Sequence, residues 1–280
     1  MQVLKFGGSS VANALNILKV TSIVADAVKR DRTILVVSAV GGCTDKLIKA
    51  ATLASKRDES YTEIVNQIEN DHNKIITELI PEEYSAGVKS RCNSLFLSLK
   101  GLLEGISLTG ELTQGSCDLA VSYGELLSTT IISAKLSSSG LNNIWVDSRE
   151  LVKTIYHNSQ NIVDIETTNR NITKFLNANG TKLWVVPGFI SSDSRGRTTT
   201  LGRGGSDYTA SLFAAASGAR VLEIWTDVNG MMTADPRVVP EAKTIENISY
   251  KEALELSHFG AKVVYPPTIQ PAVAGGIPIV

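Results

Sequence analysis

Three short apolar runs, each followed by a loop that contains glycine, constrain the fold of this chain most strongly. Residues 33–38 (TILVVS) form a continuous β-rich run, which is typical of a strand that is buried on both faces. Residues 3–6 (VLKF) predict a short strand, and residues 183–187 (LWVVP) predict a further buried strand. A helical pattern with an apolar stripe covers residues 12–30, between the first two runs. Strand, glycine loop, helix and strand in this order predict a crossover unit of a parallel sheet.

The same alternation continues along the rest of the chain. Further helices are predicted over residues 46–55, 62–79, 86–106, 122–136, 165–176, 206–218 and 250–256, and further strands over residues 143–147, 151–156 and 220–225. The polar residues 191–200 predict a hairpin tip. The sequence therefore predicts an α/β fold, a three-layer α/β/α sandwich with a largely parallel central sheet. Ligands of such sheets bind at the carboxyl ends of the strands, where the glycine loops lie.

Composition argues against several classes of protein. The chain has 280 residues, of which 43% are hydrophobic and 20% charged, as in globular domains. A net charge of −1 argues against a nucleic-acid partner, and the apolar runs are too short to cross a membrane. Three widely spaced cysteines and the absence of a signal-peptide pattern indicate free thiols in a reducing compartment. We therefore expect a cytoplasmic protein.

Residues 201–210 (LGRGGSDYTA) carry the strongest functional signal. Their three glycines let the backbone turn tightly and approach a ligand closely. Ser206 is predicted to cap the helix that follows, with Asp207 in its first turn. The free N–H groups of a helix start suit anions, and Arg203 can clamp a carboxylate or a phosphate. The alternative interpretation is a capped glycine loop with a solvated Arg203.

A second helix start is predicted at Ser122, because Ser122 and Glu125 have the spacing of a capping box. Cations and glycine amides dominate the predicted strand ends, and the sequence has no Walker A pattern and no protein-kinase signature. A positively charged cleft lined by amides suits phosphoryl transfer, in which catalysis is mostly positioning and charge neutralisation.

Residues 5–11 (KFGGSSV) and 201–210 together resemble the amino acid kinase family and, within it, the aspartokinases. Further similar segments follow in the family's order at residues 38–44, 122–125, 188–190, 225–228, 233–238 and 259–262. Each segment alone is modest, but the ordered set is highly specific. Residues 5–13 and 225–227 look most similar to the kinase part of bifunctional aspartokinase–homoserine dehydrogenases.

The resemblance implies an enzyme that uses ATP and Mg²⁺ to phosphorylate the β-carboxylate of L-aspartate. This reaction gives 4-phospho-L-aspartate and begins lysine, threonine and methionine biosynthesis. The resemblance also implies an aspartate-binding lobe over about residues 1–192 and a nucleotide-binding lobe over about residues 193–280. We expect the family's C-terminal regulatory domains, and the dehydrogenase of a bifunctional parent, to be missing from this chain. A homo-oligomer is compatible with the resemblance.

Site residues follow from the same resemblance. The substrate set is Ala39, Thr44, Glu125, Phe189, Arg203 and Ser206. Within it, Arg203 is expected to grip a carboxylate, and Glu125 to accept from the ammonium group. The nucleotide set is Lys5, Gly7, Gly8, Ser9, Thr226, Asp227, Met232, Arg237 and Lys262. Lys5 and Asp207 are the expected catalytic residues, and Mg²⁺ is expected on the ATP phosphates rather than on a protein site.

Elementary chemistry supports these roles independently. A carboxylate nucleophile has a pKa of about 4 and is already ionised at neutral pH, so the reaction needs no general base. The difficulty is repulsion between two anions, which cations, amides and Mg²⁺ can offset. Two alternatives stay open: a sister kinase acting on glutamate, acetylglutamate, carbamate or UMP, and a ligand-sensing domain without turnover.

Overall fold

A computed structural model of the chain describes residues 1–157, 160–226, 228, 230–234, 238–258 and 265–280. Its strands are β1 (Gln2–Phe6), β2 (Thr33–Val37), β3 (Ile144–Trp145), β4 (Lys153–His157), β5 (Gln160–Val163), β6 (Leu183–Pro187), β7 (Ile190–Asp193), β8 (Thr198–Thr200) and β9 (Val221–Trp225). Its helices are α1 (Ala14–Arg30), α2 (Cys43–Ser55), α3 (Tyr61–Leu79), α4 (Glu82–Thr109), α5 (Gln114–Ser138), α6 (Ser148–Leu151), α7 (Ile165–Ala178), α8 (Gly205–Ser217), α9 (Tyr250–His258) and α10 (Pro266–Ala274). A short 3₁₀ helix covers Gly8–Val11.

Five parallel strands form the central sheet in the order β3-β6-β2-β1-β9. The last residues of four strands are direct partners, because Phe6 pairs with both Val37 and Trp225, and Val37 pairs with Pro187. The loops that follow these strands consequently start side by side at one edge. The parallel sheet predicted from the apolar runs is confirmed.

Two apolar cores lie on opposite faces of this sheet, because side chains alternate along each strand. Leu4 and Leu35 belong to the core that α1 to α5 cover, whereas Val3 and Ile34 belong to the core that α7, α8 and α10 cover. The predicted α/β/α layering is therefore confirmed.

A second, mixed sheet has the order β5-β4-β7-β8. Its β7–β8 hairpin contains the turn predicted within residues 191–200, and β5, which the sequence analysis missed, pairs antiparallel with β4. The predicted lobe boundary near Asp193 falls inside this hairpin, and β9 returns to pair with β1. One sheet thus contains strands from both predicted lobes, and the assignment of one ligand to each lobe stays a prediction.

Two predicted helix starts are wrong. α5 begins at Gln114, where Thr113 and Ser116 form the capping box, so Ser122 and Glu125 lie in the helix interior. Many residues before Ser122 are polar or small, so the apolar periodicity of the sequence does not reveal this helix start. α8 begins at Gly205, and its N-cap is Gly204 with φ of +69°, a left-handed conformation that favours glycine over serine.

The cysteines are free thiols, as predicted. Burial raises the pKa of Cys43 and of Cys92 to about 12, so both thiols are protonated at neutral pH. Among the helices of the described residues, none has the length and apolar character needed to span a bilayer.

Candidate active site

A cavity of about 300 Å³ opens at the carboxyl edge of the central sheet, where β1, β2 and β6 end. The residues that line it come from distant parts of the chain: Lys5, Gly8, Ser38, Ala39, Val40, Gly41, Gly42, Thr44, Glu125, Phe189, Gly202, Gly204, Gly205, Ser206 and Asp207. The glycine loops predicted to share one edge of the sheet do meet there.

Lys5 and Asp207 form an ion pair in the cavity wall, with 2.6 Å between Lys5 Nζ and Asp207 Oδ1. Lys5 lies two residues after Val3 on β1, so its side chain leaves the sheet on the face that α8 covers. Asp207 lies in the first turn of α8, as the sequence predicted. Their side chains are 12% and 13% exposed, so little water screens the pair.

Two helices of the cavity wall begin without a side-chain cap. Gly42 and Gly204 are the N-caps of α2 and α8, and no side chain of the described residues caps either helix start. Both N-cap glycines line the cavity, as do Thr44 and Gly205 in the first turns. Helix starts carry free N–H groups and a positive partial charge, so this wall favours an anion.

Glu125 places a buried carboxyl group in the cavity lining and is 3% exposed. Its Oε1 accepts from the Ala39 amide at 3.3 Å, whereas Oε2 has no hydrogen-bond partner in the described part of the chain. Burial raises the pKa of Glu125 to about 8. The Ser128 hydroxyl donates to the Ser38 carbonyl at 2.8 Å and so joins α5 to the end of β2. A buried carboxyl with a free oxygen suits a cationic ligand group.

Phe189 follows β6 in a strained conformation, with φ of +69°. Its amide donates to the Thr209 hydroxyl at 3.0 Å, and its carbonyl accepts from the Leu201 amide at 2.9 Å. A Cβ added to Gly205 would lie 2.7 Å from Phe189 Cδ2, so only glycine permits this approach. These contacts hold the residue after β6 against the start of α8.

Arg203 lies outside the cavity lining, although Gly202 and Gly204 on either side of it line the cavity. Its side chain is exposed, and its Cζ atom lies 5.3 Å from the centre of the Tyr265 ring. In the substrate set, Ala39, Thr44, Glu125, Phe189 and Ser206 all line the cavity. The structure therefore brings every member of that set together in the cavity lining, with the exception of Arg203.

The predicted nucleotide set is more spread out. Lys5 and Gly8 line the cavity, Gly7 lies between them, and Ser9 is exposed in the 3₁₀ helix. Thr226 directly follows β9 at the same edge of the sheet, and Met232 forms an antiparallel bridge with Thr244. Asp227, Arg237 and Lys262 lie outside the described residues.

Ser38 is a lining residue that the site prediction omitted. Its hydroxyl donates to the Ser206 hydroxyl at 2.9 Å, which links the end of β2 to α8. The available signal was its position at the end of the buried apolar run, directly before the second glycine loop.

Comparison with known proteins identifies the family of this chain. The sequence model of the amino acid kinase family matches residues 1–280. The chloroplastic bifunctional aspartokinase/homoserine dehydrogenase 1 of Arabidopsis thaliana is 35% identical over 281 residues, which cover 99% of this chain and 30% of that relative. The crystal structure of E. coli aspartokinase III in complex with aspartate and ADP has a TM-score of 0.88 at 35% identity, and the match covers 100% of this chain and 61% of that chain.

UMP kinase from Ureaplasma parvum has a TM-score of 0.52 at 14% identity over 99% of this chain and 86% of its own, which shows a shared fold alone. The chain spans about a third of the length of the bifunctional relatives that it matches.

Replacement of Glu125 by glutamine tests the buried carboxyl. The folded carboxyl holds its proton up to about pH 8, whereas the unfolded one loses it near its ordinary pKa of 4.5, so wild-type stability falls as pH rises between these values. Glu125→Gln cannot ionise. We therefore compare the free energy of unfolding of the variant with that of the wild type at each pH. This difference should favour the variant more at about pH 9 than at about pH 5, by on the order of 1–4 kcal/mol.

Urea unfolding at the two pH values measures this difference. Glu104→Gln, on the exposed side of α4, is the matched control and should show no such pH-dependent gain. Equal stability differences for Glu125→Gln at both pH values would contradict the assignment.

Proposed function

Because this chain belongs to the amino acid kinase family, we propose that it transfers the γ-phosphoryl group of ATP to the β-carboxylate of L-aspartate. The product is 4-phospho-L-aspartate. The observation that carries the proposal is that one cavity contains both the Lys5–Asp207 pair and the Glu125 carboxyl, whose Oε2 atom has no partner among the described residues. Two uncapped helix starts line the same cavity. The E. coli relative at 35% identity was crystallised with aspartate and ADP, which supports the same pair of ligands here.

An amino acid substrate fits the charges of this cavity. The ammonium group of aspartate would pair with Glu125, whose Oε2 atom has no other partner among the described residues. An acetylated amino acid or UMP offers no ammonium group to this carboxyl. Since the pKa of Glu125 is raised to about 8, binding of the ammonium group near neutral pH would release a proton from Glu125. Arg203 is the proposed clamp for the α-carboxylate.

The proposed reaction places no demand on a general base. An oxygen of the ionised β-carboxylate attacks the γ-phosphorus, the bond from that phosphorus to the bridging β–γ oxygen breaks, and ADP leaves with the electron pair. Lys5 would stabilise the charge on the transferred group, and Asp207, 2.6 Å away, would orient the Lys5 ammonium. The amides at the starts of α2 and α8 would add fixed positive partial charge.

ATP would bind at the same edge of the sheet, beyond Lys5 and Gly8 and next to the loop that follows β9. Mg²⁺ on its phosphates would supply further neutralisation of charge. Asp207 also lines the cavity, and its carboxylate would face a Mg²⁺ ion carried on the ATP phosphates.

The chain is further proposed to act as the kinase part of a longer bifunctional protein. Its match to 30% of the Arabidopsis bifunctional enzyme, at 35% identity, supports this assignment. In that role it would begin the synthesis of lysine, threonine and methionine, and homoserine dehydrogenase would be a covalent partner.

A direct assay tests the substrate. The chain is incubated with ATP, Mg²⁺ and aspartate, glutamate, acetylglutamate, carbamate or UMP, and acyl phosphate is trapped with hydroxylamine while ADP is measured separately. We expect hydroxamate and ADP with aspartate. ADP formation with a different acceptor and none with aspartate would reject the proposal.

Lys5→Ala is expected to lower kcat at least ~100-fold, because it removes charge stabilisation that is strongest in the transition state. Steady-state kinetics with saturating aspartate and ATP measure the change. Lys19→Ala, an exposed lysine on α1, is the control for loss of a positive charge elsewhere. A kcat for Lys5→Ala within a few-fold of wild type would remove Lys5 from the catalytic role.

Arg203→Ala is expected to raise the KM for aspartate about 10- to 100-fold, the size of a lost charge-assisted hydrogen bond. The KM for ATP should change far less. Arg195→Ala, in the exposed turn between β7 and β8, provides the matched control. An unchanged KM for aspartate together with a raised KM for ATP would instead assign Arg203 to the binding of the nucleotide.

A further inference from the structure

The guanidinium of Arg203 is held by an aromatic ring. Its Cζ atom lies 5.3 Å from the centre of the Tyr265 ring, within the range of a cation–π contact. Within the described part of the chain, Arg203 forms no ion pair and no side-chain hydrogen bond. The contact uses the face of the ring, so the N–H donors of Arg203 stay available to a carboxylate.

The backbone on both sides of this contact is fixed. Gly204 packs against the start of α10 so closely that an added Cβ would lie 2.9 Å from Thr268 Cγ2 and 3.4 Å from Tyr265 Cβ. Tyr265 is the N-cap residue of α10, and its carbonyl accepts from the amide and the hydroxyl of Thr268 at 3.0 and 2.6 Å. The ring therefore projects from a well-held position beside the Arg203 loop.

α10 is itself anchored to α8, the helix whose start lines the cavity. The Ala272 amide donates to the buried hydroxyl of Ser211 on α8 at 2.9 Å. Movement of the Tyr265 backbone relative to the start of α8 would disturb this packing. Because Arg203 directly precedes that start, the ring and the backbone of Arg203 share one rigid support.

We propose that Tyr265 is a positioning residue that orients Arg203 for the substrate carboxylate. The ring restricts a long, exposed side chain to positions beside Gly202 and Gly204, which line the cavity. Binding of a carboxylate then costs less side-chain entropy than it would with a freely rotating arginine. The inference rests on the proposed function only in taking aspartate as the carboxylate.

The test compares Tyr265→Phe, which keeps the ring, with Tyr265→Leu, which removes it. Calorimetry without nucleotide gives the Kd for aspartate, and kinetics give kcat and both KM values. We expect Tyr265→Leu to weaken aspartate binding about two- to fivefold, as for an exposed cation–π contact, with kcat and the KM for ATP nearly unchanged. Tyr265→Phe should retain the wild-type affinity for aspartate. Tyr265→Gln is a second ring-free variant should the leucine variant not fold.

Arg203→Ala supplies the second arm of a double-mutant cycle. With Arg203 absent, Tyr265→Leu should change the affinity for aspartate no further. An equal loss in the presence and absence of Arg203, or an equal loss for the phenylalanine and leucine variants, would overturn the proposal. If aspartate binds but is not phosphorylated, the kinase assignment is rejected, and the Kd values still test the role of Tyr265. If aspartate does not bind at all, both proposals are rejected.

Discussion

Parallel pairing in a common register is the constraint on which the rest of this structure depends. Phe6, Val37, Pro187 and Trp225 end four neighbouring strands and are direct partners in the sheet. Every loop that leaves these strands therefore starts at one edge, and helix starts on both faces can reach the same space. A shift of one residue in a strand would move its side chains to the opposite face. Lys5 would then point away from Asp207 and out of the cavity.

Charge in the cavity is arranged at a cost to the folded state. Lys5 and Asp207 are nearly buried but compensate each other at 2.6 Å. Glu125 has no such compensation, and burial holds its pKa near 8. A buried carboxyl without a partner destabilises the folded state, whereas a bound cationic group beside it would stabilise that state. The arrangement would therefore lower the free energy of unfolding and raise the affinity for a cationic ligand group. The proposed ammonium ligand would remove that penalty.

Backbone geometry keeps these groups in place. The left-handed conformations of Phe189 and Gly204, and the close approach of Phe189 to Gly205, hold the segment after β6 against α8. Tyr265 and Thr268 of the α10 start contact Arg203 and Gly204 in the loop before α8. The carboxylate clamp that we assign to Arg203 is thus supported from two elements, the segment after β6 and the start of α10, whereas the Lys5–Asp207 pair joins β1 to α8.

Local patterns in the sequence determined the layers, most strands and the glycine loops, because apolar periodicity and glycine act over a few residues. The start of α5 was missed, since a chance capping-box spacing at Ser122 was more visible than the true one at Thr113. β5 was missed because a four-residue edge strand has too short a pattern. Only tertiary structure decided that Glu125 is buried without a full set of partners and that Arg203 rests on Tyr265. Both depend on contacts between residues far apart in the chain, for which no local signal exists.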